Sequence, residues 1–233
     1  VRAALWVRIL LSGSVIEQKI MLDANSSQLD FETHVSWQER HKLRKVSFDT
    51  GIQALNASHQ IQFGYLDRPA HRSRQYDADR FEVCCHGWSA FHDATRGAAV
   101  LNDCKYGIGA CDGTLSLSLL RAPTYPDPEA DQGEHTFTYA YRVWDGDFGT
   151  CDLNSAAEAL NIPPVRVEGT CDLPEPVKFS DTAITLESVK LAEDGSGDLI
   201  LRLFESMNGS RKVDLCFGLP VTEVEECDLA ERV

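Results

Sequence analysis

Long apolar runs are missing from this sequence. No stretch approaches the roughly 20 apolar residues that a membrane-spanning helix needs, and the run from Ala3 to Leu11 is broken by Arg8. A soluble chain without a membrane partner is expected. Positive charge is scarce as well: 22 Lys and Arg stand against 36 Asp and Glu, a net charge of −14. That balance repels a phosphate backbone, so nucleic acid is not expected as a partner. Gly-rich phosphate loops, Gly-x-Ser-x-Gly elbows and His-Glu-x-x-His pairs are absent, which removes the signatures of nucleotide and serine-hydrolase chemistry. No basic leader with a small-residue cleavage site precedes the first strand, and Val1 stands where an initiator Met would; the expectation is an internal cut in a longer protein.

Cysteine is present but not in a disulfide-rich pattern. Eight residues, at 84, 85, 104, 111, 151, 171, 216 and 227, are spread over 233 positions. A chain of this length can build a core without covalent staples. The expectation is reduced thiols that serve as small apolar side chains, in a cytoplasmic protein. A metal site built from Cys84, Cys85, His86, Cys104 and Cys111 is the rival, but it lacks the Cys-x-x-Cys knuckle that sets two thiolates on one tetrahedral ion.

What is there is alternation with a period of two, the mark of half-buried strands. Leu29, Phe31, Thr33, Val35 and Trp37 share one face, and Asp30, Glu32, His34 and Ser36 the other. The same reading gives strands through Val46 and Phe48, through Ile61, Phe63 and Tyr65, through Phe81, Val83 and Cys85, and through Leu115, Leu117 and Leu119. A longer one carries Phe137, Tyr139, Tyr141 and Val143. Turn signals separate them at Ser12-Gly13, Asp49-Thr50-Gly51, Asp112-Gly113 and Asp145-Gly146. One short helix is expected over Ser155 to Leu160, because Ser155 and Glu158 have capping-box spacing. Four of the nine prolines then fall between Pro163 and Pro176, which reads as a linker. Further alternation at Ile184, Leu186 and Val189, at Leu199, Leu201 and Leu203, and at Val213, Leu215 and Phe217 predicts a second, small β domain. The expected division is 1–160, a linker over 161–178, and 179–233.

The richest polar segment runs from Asn102 to His135. Within it, Arg121 to His135 is an acidic, Pro-rich connection between two strong strands, and such a loop needs an energetic reason to be ordered. Asp127, Glu129, Asp131 and Glu134 offer the carboxylates that a glycosidase pairs, but acids in this place read as a solvated loop before they read as a catalytic pair. Trp37, Trp88 and Trp144 read as core aromatics before they read as sugar platforms. Glu39-Arg40-His41-Lys42 reads as a charged hairpin tip.

Longer words then carry a resemblance. Leu29-Asp30-Phe31-Glu32-Thr33, Trp37 to Leu43, Gln60 to Tyr65, Arg68-Pro69-Ala70-His71-Arg72, Leu101 to Gly107, Leu117 to Pro123 and Ala130 to Ala140 stand in the order found in the C-terminal β region of family-38 glycoside hydrolases. The chain resembles that region of the retaining, zinc-dependent alpha-mannosidases, on the side of their bacterial and cytosolic-type branch. Two departures stand out: Tyr141-Arg142-Val143-Trp144 replaces a Leu-Tyr-Pro-His ending, and Cys84-Cys85 replaces a small residue or proline.

The resemblance implies an all-β fold, a galactose-mutarotase-like antiparallel supersandwich followed by a small C-terminal β-sandwich domain. It implies no catalytic residue and no metal ligand in this chain, with zinc held by residues outside it. The substrate class would be an alpha-mannoside or oligosaccharide, and a homo-oligomer is left open. Arg121, Asp131, Gln132, Gly133 and His135 are the expected loop facing substrate or the catalytic domain, with Asp131, Gln132 and Gly133 at its tip; Asp103, Lys105 and Tyr106 are second candidates. A stand-alone carbohydrate-binding β module is the alternative from another class. A mutarotase-like isomerase would need its own acid/base pair, and none can be assigned.

Overall fold

The computed structural model describes residues 1–165, 167–170 and 174–233. It is 46% strand and 7% helix, with antiparallel sheets, the all-β class that the alternation predicts. The chain divides into two compact units, Val1–Pro163 and Pro164–Val233. The expected linker, 161–178, lies partly outside the described residues, at 166 and 171–173.

In the first unit the strands are β1 (Arg2–Leu10), β2 (Val15–Asp23), β3 (Gln28–Trp37), β4 (Arg44–Asp49), β5 (Asn56–Ile61) and β6 (Gly64–Pro69). After a single helical turn, α1 (Gln75–Asp79), follow β7 (Val83–Cys84), β8 (Trp88–His92), β9 (Arg96–Asn102), β10 (Gly107–Cys111), β11 (Thr114–Leu120) and β12 (Gly133–Asp145), and then α2 (Leu153–Asn161). They form an eight-stranded sheet, β1-β2-β3-β12-β9-β8-β5-β6, and a four-stranded sheet, β4-β11-β10-β7.

The predicted face of β3 is the buried one: Phe31, Thr33, Val35 and Trp37 are buried while Glu32 and His34 are exposed. Against it, β12 sets Phe137 and Tyr139 in antiparallel register, with Tyr139 opposite Phe31 and their rings stacked at 4.8 Å. Phe48 of β4 comes down from the short sheet onto Phe31 at 5.6 Å and onto Tyr141 at 4.8 Å. Leu115 and Leu117 of β11 complete the layer at 0% exposure. Burying a Leu or Phe side chain is worth about 1.5–3 kcal/mol, so this aromatic and leucine layer is what holds the two sheets together.

The outer face of the large sheet is covered too, around β8 and β9. Trp88 and Leu101, opposite one another, are fully buried with Leu153 and Ala157 of α2, and the Trp88 indole donates to Asn154 Oδ1 at 2.7 Å. The helix therefore serves as a lid over sheet residues. It begins at Leu153, two residues earlier than the capping-box expectation; Asp152 is its N-cap, without a side-chain cap bond, and Ser155 lies inside the helix.

Three strand expectations are corrected. Ile61, Phe63 and Tyr65 do not share a strand: Ile61 pairs with Gly64 across a tight turn in which Phe63 takes φ 57. Around Phe81, Val83 and Cys85 only Val83–Cys84 is strand, and Phe81 is exposed. Near the end of the chain, the strand covers Leu215–Phe217 and stops short of Val213. The Asp112-Gly113 turn, by contrast, joins β10 to β11 as a two-residue hairpin, with φ 49 and 77.

The second unit contains β13 (Val177–Phe179), β14 (Ile184–Leu191), β15 (Leu199–Glu205) and β16 (Leu215–Phe217). β13 pairs with β16 and β14 with β15, as two two-stranded antiparallel sheets. Val177, Ala183 and Met207 are its buried apolar residues, and the buried Ser206 hydroxyl donates to Ala183 O at 2.9 Å.

Candidate functional site

The acidic connection between β11 and β12 spans residues 121–132, and its last expected members, Gly133 to His135, are already strand. Asp131 accepts from the Arg121 amide at 2.8 Å, which closes the loop across its base. Asp131 itself takes φ 62 and Gly133 φ 114; glycine tolerates that backbone because it has no Cβ. His135 Nε2 donates to Asp131 O at 2.8 Å. Gln132 donates to Glu39 O at 2.6 Å. Asp131, Gln132 and Gly133 thus form the base of the loop and not its tip, which is a correction. The exposed run of the loop is Thr124 to Glu129, with Tyr125 at 85% exposure.

The second candidates sit on the same strand end. β9 stops at Asn102, whereas β12 continues beyond its pairing with β9, and Asp103 occupies the first vacated position. Its amide donates to Thr138 O at 3.1 Å and its carboxylate accepts from Thr138 N at 2.7 Å. Lys105 Nζ stands 4.5 Å from the centre of the Phe137 ring, a cation–π contact. The amide of Lys105 is held by Asn102 Oδ1 at 2.8 Å. Tyr106 is exposed, and its carbonyl accepts from Cys85 N. Asp103 and Lys105 therefore join the acidic loop at the first six residues of β12, whereas Tyr106 bonds Cys85 through its carbonyl and lies beside His86.

A residue that the sequence reading treated as ordinary surface charge organises this end. Glu39 is 5% exposed. Its carboxylate accepts from Ser12 Oγ at 3.0 Å, from Gly13 N at 2.9 Å and from Lys42 Nζ. The Lys42 ammonium, followed by the Gly13 amide, holds the Glu39 carboxyl well below the usual carboxylate range, at about 2. Next to it Arg40 pairs with Glu129 at 2.5 Å, and His41 N donates to Ala122 O. The segment is not a hairpin tip: β3 and β4 belong to different sheets, and residues 38–43 cross between them while bracing the acidic loop. Apart from Lys42, its partners lie 26 to 93 residues away in sequence, so no local pattern announces it.

The four loop acids do not pair with one another. Asp127 accepts from Glu129 N at 2.9 Å, Glu129 takes Arg40, Asp131 takes the Arg121 amide, and Glu134 meets His34 at 3.0 Å. Each carboxylate is thus committed to a different partner.

Among the described residues, no group of three or more His, Cys, Asp or Glu side chains is placed to hold a metal, and Cys84, Cys85, His86, Cys104 and Cys111 do not form one. The seven described cysteines are free; Cys171 lies outside the described residues. Burial pushes the Cys85 thiol up to about 11 and the Cys104 thiol up to about 11, so neither is poised as a thiolate ligand or nucleophile. No described helix is long and apolar enough to cross a membrane. Of the tryptophans, Trp37 and Trp88 are buried in the two packed layers, and Trp144 lies over Gly97.

Comparison with known proteins adds the following. The family model described as glycosyl hydrolases family 38 C-terminal domain matches residues 1–129, and that of the family 38 C-terminal beta sandwich domain matches residues 183–233. Alpha-mannosidase 2C1 of Homo sapiens is 39% identical over 99% of this chain and 23% of its own length. Alpha-mannosidase G of Dictyostelium discoideum is 36% identical over 95% of the chain and 21% of its own length. The chain therefore spans about a quarter of the length of these relatives. Among solved structures, an alpha-mannosidase from Enterococcus faecalis V583 superposes with a TM-score of 0.76 at 21% identity, over 90% of this chain and 25% of its own.

Proposed function

The chain belongs to glycosyl hydrolase family 38, in its C-terminal β region, and from that premise we propose that it works as the C-terminal β portion of an alpha-mannosidase. The activity served is retaining hydrolysis of alpha-mannosides at a zinc-dependent centre whose ligands lie outside this chain. The observation that carries the reading is the pair of C-terminal family matches, in order along the chain, with relatives named alpha-mannosidases aligned over nearly all of it. The described residues do not fit a metal, and no step of hydrolysis is assigned to them. Retaining chemistry needs two carboxyl groups about 5–5.5 Å apart on either side of the bond, whereas the loop acids here are each tied to separate partners.

What this chain contributes in the proposal is a rigid platform. Arg121, Asp131, Gln132, Gly133 and His135 fix the base of the acidic loop, and Asp103 and Lys105 flank it across β12, with Tyr106 next along the chain. A loop held at its base by several hydrogen bonds can present its outer residues to substrate or to a catalytic domain without an ordering cost at each binding event. Free thiols support a cytoplasmic setting for the protein.

The test compares the polypeptide translated from the whole gene with the 233-residue chain. The former is expected to hydrolyse an aryl alpha-mannoside and retain zinc, and the latter to do neither. Zinc-dependent turnover by the 233-residue chain would overturn the reading, as would its absence from the longer polypeptide.

A further inference from the structure

At the end of the first unit away from the acidic loop, β12 outruns one of its neighbours. Its register with β3 ends at Arg142 opposite Gln28, while its register with β9 runs on to Asp145 opposite Arg96. Beside this overhang lies a cleft of about 540 Å³, a volume within the range of small-molecule sites, roughly 300–1,000 Å³. Ile52 and Ala98 line it and are buried, which gives it an apolar floor. Val143 and Trp144 form an apolar wall, with Val143 exposed.

The side chains that matter are held in place. Arg142 is 15% exposed; its guanidinium donates to Asp152 Oδ1 at 2.6 Å and Oδ2 at 2.5 Å, and to Gln28 Oε1 at 3.3 Å. Trp144 lies so close on Gly97 that a Cβ there would strike the indole, and the Phe148 ring centre stands 6.1 Å away. Arg96 donates to Gly51 O at 3.3 Å. A ligand therefore meets groups that need little ordering when it binds.

The charges around the cleft cancel, Arg96 and Arg142 against Asp145 and Asp152. A chain of net charge −14 also repels an anion, and among the described residues no cluster is placed to hold a metal ion. A neutral ligand is favoured. Guanidinium donors, carboxylate acceptors, the Ser27 and Thr50 hydroxyls, an indole and an apolar floor suit a molecule with hydroxyl groups at its rim and C–H groups on its faces, which describes a sugar ring.

We propose that this cleft is a saccharide-binding site for a short, neutral, mannose-containing oligosaccharide; the choice of sugar rests on the proposed function. Its wall is built from the ending in which this chain departs from the family pattern, with Arg142, Val143 and Trp144 in place of Tyr, Pro and His. Proline at 143 has no amide to donate to Ser27 O, and Tyr and His bring neither guanidinium nor indole. The site is thus particular to this sequence.

Nitrogen–proton spectra of the 233-residue chain titrated with an alpha-linked mannobiose test this. Of the four indole N–H signals, the one lost in Trp144→Leu is expected to shift and to saturate with Kd of about 1 mM, while that of Trp6 stays in place. Arg142→Ala and Arg96→Ala are each expected to raise Kd at least about 10-fold. Arg96 is 57% exposed, so its variant reports on the cleft even where Arg142→Ala does not fold. No shift of the Trp144 signal at about 20 mM mannobiose overturns the inference, and so does a Kd that Arg96→Ala leaves unchanged. Inorganic phosphate that shifts this signal when mannobiose does not assigns the arginines to an anion and overturns it too. Failure to bind, with a whole-gene polypeptide that hydrolyses an aryl alpha-mannoside, removes this inference alone. Binding, with an inactive whole-gene polypeptide, leaves the cleft as a saccharide site and removes only the mannosidase reading.

Discussion

The Gly13 amide donates to the Glu39 carboxylate at 2.9 Å, so the turn between the first two strands is clasped to the chain leaving the third. The same glutamate accepts from Ser12 and Lys42, and its backbone carbonyl takes the Gln132 amide. Three loops at one sheet end therefore meet at Glu39, two of them through its carboxylate and the acidic loop through its backbone carbonyl.

Removing that carboxylate should loosen the two segments it ties, residues 11–14 and 38–43. Glu39→Ala is expected to lower Tm of the 233-residue chain and to raise amide exchange in residues 11–14 and 38–43, while β8 and β9 keep their protection and residues 121–132, held through the Glu39 backbone carbonyl, change less. Because the Glu39 carboxyl titrates below its ordinary value, its contribution is present above the unfolded value near 4.5 and is lost as pH falls towards about 2. Exchange that rises uniformly over the whole chain would refute the local role.

His59 gives a second pH signature. It is 1% exposed and hydrogen-bonds Ser89 through Nδ1 at 2.9 Å; burial, followed by the positive charge of Arg68, pushes it down to about 3. The folded state keeps this ring neutral while the unfolded chain protonates it near 6.5. Stability is thus whole above pH 6.5 and declines as pH falls from 6.5 towards 3. Urea midpoints measured across that window should fall with pH, and the His59 ring resonances should not titrate above about pH 4. A ring that titrates near 6.5 contradicts the burial argument.

All eight cysteines are expected to be reduced. Thiol labelling under denaturing, non-reducing conditions should count eight, Cys171 included, and without denaturant Cys85 should react last because it is buried with a raised pKa. A denatured count near zero would show disulfides and remove the support for a cytoplasmic setting.

The strands that could be read from sequence are the ones wet on one side. β3, β11 and β12 alternate because one face meets the core and the other meets solvent. β8 and β9 were not legible, since Trp88 to Phe91 and Gly97 to Asn102 are buried on both faces, one row under the second sheet and the other under α2. Strands covered on both sides lose the period of two and read as plain apolar runs. The Gln60 to Tyr65 segment failed for a different reason: its alternation continues through a turn whose residues, Gln62 and Phe63, carry no ordinary turn signal. The acidic loop was legible as a loop, but its closure by Asp131 and its clasp to Glu39 depend on contacts between distant segments.

Gly97 tests the outer layer. It pairs with Trp144, and a Cβ placed on it would lie 1.9 Å from that indole. Gly97→Ala should displace the ring and cost about 1–3 kcal/mol, a drop of several degrees in Tm for a chain of this size. Tryptophan emission should shift to the red. In the double variant with Trp144→Leu the penalty should shrink, because the second change removes the obstacle. Full additivity would place the strain elsewhere.

The acidic loop carries the last prediction. Asp131→Ala removes the acceptor of the Arg121 amide, and Gln132→Ala releases the Glu39 carbonyl. Loss of one such partly exposed hydrogen bond costs about 0.5–1.5 kcal/mol. If these residues hold the loop towards a substrate, kcat/KM of the polypeptide translated from the whole gene should fall about 2- to 12-fold in each variant. Asp131→Asn keeps an acceptor oxygen and should restore most of the loss, which a requirement for negative charge would not allow. A loop that only braces the sandwich gives a different result: Tm falls in both alanine variants, and kcat/KM of the folded fraction stays at its original value. Tm and kcat/KM measured on the same preparations separate the two. Unchanged kcat/KM in both variants removes the substrate-facing role of residues 121–135 and leaves them the structural one.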